Sequence, residues 1–137
     1  MRDPIRYLQK KLVVRTATDF FPLLKSLRKL DIPGCVSVVF LRSDRRFYDS
    51  ITVTDGGCRV PQVVGHLLDI DDPRIGAMVL ASDRTGEVPA DRPHDEFDWA
   101  GMHEAASHRG IDLIDWFVIW GTKAFSIAEH ASIPAGW

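Results

Sequence analysis

Ile75-Gly76-Ala77-Met78-Val79-Leu80, followed at once by Ala81-Ser82-Asp83-Arg84-Thr85-Gly86-Glu87-Val88-Pro89, reads as a buried strand running straight into a polar loop. Val36 to Leu41 is a second run of the same kind, almost wholly apolar and β-branched, which predicts an interior strand covered on both faces. Ser43-Asp44-Arg45-Arg46 is a polar turn, and Phe47 to Thr54 resumes as a strand. The two therefore read as a hairpin closed by Asp55-Gly56-Gly57.

Helical stretches surround these strands. Lys11 to Val14 reads as a short first strand, and Thr18 or Asp19 can then cap a helix in which Pro22 is tolerated in the first turn. Phe20, Leu23, Leu24, Leu27 and Leu30 form its apolar stripe, with Lys25, Arg28 and Lys29 opposite, and it ends near Asp31, Pro33 and Gly34. A short helix begins at Pro61 and buries Val60, Val63, Val64, Leu67 and Leu68. Another starts around Asp91 to Pro93, carries Asp95 and Glu96 in its first turn, turns Trp99, Met102 and Ala106 inward and stops at Gly110. Ile111 to Trp120 is the longest strand candidate, and Ala124 to Ile127 returns as an edge strand after a turn. The order β-α-β-β-α-β-α-β-β predicts an α/β domain, a mixed sheet with helices against it.

At 137 residues the chain fits one domain, 1–137, with a full hydrophobic core. Two cysteines, Cys35 and Cys58, form no C-x-x-C pair and read as reduced thiols in or near the core. A charged opening, Met1-Arg2-Asp3-Pro4, and the lack of any 18-residue apolar stretch make the cytoplasm the expected location and a membrane an unexpected partner. Net charge is only -2, yet residues 1–46 hold eleven Lys/Arg against four Asp/Glu, and the remainder six against fifteen. Such asymmetry fits either a solvated surface or a basic face that meets an acidic partner, a nucleic acid, or the acidic half of a second copy. No helix-turn-helix, zinc finger or interleaved aromatic-basic pattern supports nucleic acid by motif. No Gly-rich phosphate loop or nucleophile elbow is present either.

Several strings resemble RadC-type domains of the JAB/MPN metallopeptidase superfamily. Val38 to Phe47 resembles their first central hairpin, and Gly76 to Gly86 the strand and loop that present the zinc-binding histidines. Gly110 to Ile119 and Phe125 to Glu129 resemble the closing strands. The resemblance implies a JAB/MPN-like, cytidine-deaminase-like layered fold. In the family's enzymes two histidines and an aspartate hold one zinc, a glutamate acts as general base, and a serine steadies the oxyanion. Here the glutamate position is Gly34, the histidine positions are Ala81 and Asp83, and the serine position is Thr85. Only the aspartate persists, as Asp95. Ala81 has no lone pair to offer a metal, and Gly34 can take no proton from a metal-bound water. The expectation is a domain without catalytic residues, metal or cofactor, acting through protein contacts and self-association. The alternatives are a divergent peptide or isopeptide hydrolase with a rebuilt site and a DNA-associated accessory domain.

Asp83, His94, Asp95 and His103 remain as residues that can converge on a new catalytic or ion site, but a first-turn acid and an ordinary polar loop account for them better. Trp116, at a position often histidine in the resembling family, is expected to fill space beside the old site. Arg28, Lys29, Arg45, Arg46 and the terminal Trp137 are the candidate interaction residues, with Trp137 docking either back onto the domain or onto a partner.

Overall fold

Val36–Leu41 forms the strand (β1) from which the sheet grows, every one of its residues buried. In the computed structural model, residues 13–27, 36–53, 60–70, 72–83, 95–120, 123–130 and 135–137 are described. β1 pairs antiparallel with Phe47–Val53 (β2) on one side and with Ala77–Asp83 (β3) on the other. β3 pairs parallel with Asp112–Trp120 (β4), which pairs antiparallel with Lys123–Ser126 (β5). The result is a mixed five-stranded sheet in the order β2-β1-β3-β4-β5. The helices are Ala17–Leu27 (α1), Val60–Leu68 (α2), Asp95–His108 (α3) and the short Ile127–His130 (α4).

Because successive strand residues face opposite sides, the sheet makes two cores. Val38, Phe40, Met78, Leu80, Trp116 and Val118 meet α2, α3 and α4 through residues such as Val64, Leu67, Trp99 and Ala128. Val39, Leu41, Val79, Ala81, Phe117 and Ile119 meet α1 through Phe20 and Leu23. The predicted stripes of α2 and α3 are the buried ones: Val60, Val63, Val64, Leu67 and Leu68 on the first, Trp99, Met102 and Ala106 on the second. The Trp99 indole N–H, fully buried, has no hydrogen-bond partner among the described residues.

Several boundaries differ from the sequence reading. Ala81-Ser82-Asp83 is strand, not loop, since its backbone is held between β1 and β4: Ser82 pairs with Val36 and Val118, and Asp83 with Ile119. Thr16, rather than Thr18 or Asp19, caps α1: its hydroxyl accepts the Asp19 N–H at 3.3 Å while the Asp19 carboxylate accepts the Arg15 N–H at 3.1 Å. Pro22 thus falls in the second turn, on the same exposed side as Thr18, where the Thr18 carbonyl left without its i+4 donor is open to solvent. Of the expected first strand Val13 and Val14 are described: Val13 forms an isolated bridge to Arg46, and the Val14 N–H reaches the Arg45 carbonyl at 2.8 Å. The closing Asp55-Gly56-Gly57, the helix end near Asp31, Cys35 and Cys58 lie outside the described residues. α3 ends as expected at Gly110 (φ 72°), whose N–H reaches the Ser107 carbonyl while the Ile111 N–H reaches that of Ala106, each at 3.0 Å.

A polar cluster braces the far end of β1 and β2. The Tyr48 hydroxyl donates to Asp72 at 2.9 Å, Arg74 grips the same carboxylate through two nitrogens at 3.0 and 3.1 Å, and both Arg42 and Arg74 lie over the Tyr48 ring. These donors, the Arg74 side chain foremost, hold the Asp72 carboxyl down at about 2 from an ordinary 3.8. A carboxyl with a depressed folded value lends stability above its unfolded value and loses it as pH falls through the folded one. Urea midpoints between pH 3.8 and about 2 are therefore expected to decline more in the wild type than in Asp72→Asn, and parallel declines would rule the cluster out as a source of acid sensitivity.

Candidate functional site

Ala81 and Asp83, two residues apart, face the α1 side of the sheet near the C-terminal end of β3. Ala81 is 4% exposed and packs in the cluster of Phe20, Val79, Phe117 and Ile119, so its methyl is core; Asp83 is 8% exposed. Asp95 begins α3, a helix packed on the opposite face. His103 lies eight residues further along α3, about 12 Å at the usual helical rise, with its ring beside Trp99 at 5.9 Å. Gly34, Thr85 and His94 lie outside the described residues. Among the described residues no three His, Cys, Asp or Glu side chains are grouped to hold a metal ion.

Trp116 does not fill space beside Ala81. Its partner across β3 is Leu80, which places the indole in the α2–α3 core, and the indole N–H donates to the Ser82 hydroxyl at 2.9 Å. The cause is strand alternation, which sends Ser82 and Trp116 to one face and Ala81 and Phe117 to the other.

The candidate interaction residues divide. Arg28 and Lys29 lie outside the described residues. Arg46 is exposed and, among the described residues, pairs with its near neighbour Asp44 at 3.4 Å. Arg45 sits at φ 71°, a left-handed conformation that costs a side-chain-bearing residue about 1–2 kcal/mol. Its guanidinium reaches Asp112 at 3.1 Å and the Gly136 carbonyl at 3.4 Å. Trp137 docks back on the domain, its ring 6.1 Å from Phe20 and 6.2 Å from Phe117.

The group that sequence reasoning missed is Asp115. Between Met78 and Val79 the β3–β4 register slips by one residue, and at this bulge Asp115 is 2% exposed. One carboxylate oxygen accepts the Trp116 N–H at 2.7 Å and the Ala128 N–H at 3.3 Å; the other accepts the Ser126 hydroxyl at 2.7 Å. Ser126 in turn accepts the Glu129 N–H at 3.2 Å, so this pair fastens α4 to β4. Burial raises the carboxyl above the ordinary range against the pull of those three donors, and the Glu129 charge adds to the rise. The signal lay in the sequence: an acid in the middle of Leu113-Ile114-Asp115-Trp116-Phe117 either has partners or is a site.

Asp115 also borders a cleft of about 630 Å³ on the α1 side, between α1, β4, β5 and the segment 135–137. Phe21, Phe117 and Trp137 supply aromatic walls, Ala17, Ala124, Ala128 and Ala135 leave room, and Ser126 and Glu129 join Asp115 as polar groups. No described helix is long and apolar enough to cross a membrane. Compared with known families and with characterised proteins, the sequence matches none.

Proposed function

We propose that this chain is a RadC-like JAB/MPN domain without catalytic function that works through protein contacts, self-association among them. A mixed sheet with α1 on one face and α2, α3 and α4 on the other is the layering this reading requires. One observation carries it: the residue at the position of the family's first histidine, Ala81, gives its methyl to the core against Phe117 and Ile119. An imidazole there would need the volume those side chains occupy, so the place is committed to packing. The uneven charge along the sequence, with its basic first third, favours an acidic partner or the acidic part of a second copy.

Metal analysis of protein purified without chelator, followed by zinc titration, tests the loss of the centre. The expected result is no stoichiometric zinc after dialysis. One zinc per chain that is lost on Asp95→Ala would overturn the reading and put the divergent hydrolase in its place. Self-association is tested separately by sedimentation at micromolar concentration, where a mass of at least a dimer is expected and a clean monomer counts against it.

A further inference from the structure

We propose that the cleft between α1, β4 and β5 binds an alkylammonium group carried on an apolar stem, either the side chain of a lysine in a peptide or a free amine. The site is independent of whether a metal centre has been lost, since none of its residues belongs to the set the family would use.

Charge is the first argument. Two carboxylates, Asp115 and Glu129, border the cleft, and no Lys, Arg or His is among its described lining residues. Asp115 is buried with N–H and O–H donors but no Lys or Arg partner among the described residues, so within that set its carboxylate is met by dipoles. Its outer oxygen, bonded among the described residues by Ser126 alone, keeps acceptor capacity there. An ammonium ion is the group that completes such an environment, because a desolvated carboxylate gains most from a cation beside it.

The second argument is the wall chemistry. Phe21 and Phe117 meet edge to face at 5.2 Å, and Phe117 and Trp137 lie 6.2 Å apart. Aromatic faces attract a cation and also cover the methylenes that carry it. Phe21, 42% exposed, and Glu129, also exposed, meet an arriving ligand first, whereas Asp115 is nearly closed to solvent. That gradient suits a ligand with an apolar stem and a charged end. An anion would meet two carboxylates, and a wholly apolar ligand would leave Asp115 uncompensated.

The test is a titration of the full chain followed by amide chemical shifts, with n-hexylammonium, Nα-acetyl-lysine-methylamide and a short lysine peptide as probes. Neutral partners, n-hexanol and the Nε-acetylated lysine derivative, are run in parallel. The expected result is saturable shifts at Trp116, Ala128 and Glu129 for the cations and none for the neutral probes. Tighter binding of the peptide identifies a protein lysine as the source, and equal affinity a free amine. Glu129→Gln is expected to weaken binding about threefold, as a partly exposed charge does. Asp115→Asn is expected to weaken it about tenfold or more, as a desolvated one does. Because Asp115 also fastens α4, Phe21→Ala at an exposed position serves as the second variant and is expected to weaken binding without altering the rest of the spectrum. Equal response to neutral probes, or cation binding unchanged in both Glu129→Gln and Phe21→Ala, would overturn the proposal.

Discussion

Gly76→Ala is expected to lower stability by about 3 kcal/mol or more, or to prevent folding, as read from urea unfolding. A methyl at this position would lie 2.6 Å from the Ser43 Cα, backbone nitrogen and Oγ, and the first two belong to a chain that cannot step aside. Gly76 is pinned as well: its N–H reaches the Leu41 carbonyl at 2.8 Å, and its own carbonyl accepts the Asp112 N–H at 3.0 Å. The residue thus stands where β1 leaves the sheet and β3 and β4 enter it. Gly65→Ala and Gly101→Ala are the controls, since nothing lies within 4 Å of a methyl at either helical position. Each is expected to gain about 0.5–1 kcal/mol by favouring helix over the flexible chain. A Gly76→Ala protein as stable as those controls would show that the Ser43 turn yields freely.

Ala81→His is expected to cost about 3 kcal/mol and to install no metal site. An imidazole in place of a methyl 4% exposed must displace neighbours such as Phe117 and Ile119, an overpacking of about 1–3 kcal/mol. Its ring nitrogens would then compete for partners in an apolar cluster, at about 1–3 kcal/mol more if one is left unsatisfied. Thermal unfolding with and without zinc separates packing from metal binding. Zinc held at a hundred times its dissociation constant would restore about 2.7 kcal/mol, so a melting temperature indifferent to zinc is the expected outcome. A zinc-dependent rise would mean that the position retains the approach and neighbours of a metal ligand.

What the sequence made legible follows from how many neighbours decide each element. The stripes of α2 and α3 and the run Val36 to Leu41 are local patterns, and the structure buries them as read. Ala81-Ser82-Asp83 looked like loop because two of its three side chains are polar. Its strand conformation is imposed by β1 and β4, which the local pattern does not contain. α4 has four residues, too few for a helical period, and owes its place to Ser126 and Asp115. The facing of Trp116 depended on register. The bulge beside it made Asp115 a wall of the cleft, and no alternation rule announces a bulge. Gly34 and Thr85 remain readings of the sequence alone.

The bond from Arg45 to the Gly136 carbonyl joins residues 91 apart, whereas the turn that presents Arg45 closes locally through its N–H to the Arg42 carbonyl at 2.8 Å. These two events belong to different stages of folding: a tight turn forms in microseconds, while contacts of high sequence separation wait for the intervening chain to be organised. Residues 135–137 can therefore join only after β4 exists to receive the Gly136 N–H on the Ile114 carbonyl. The strained backbone of Arg45 is set early and rewarded late. Unzipping in the reverse order, with the 135–137 segment lifting before the sheet parts, makes the Gly136 amide an early reporter in hydrogen exchange and the β3–β4 seam a late one.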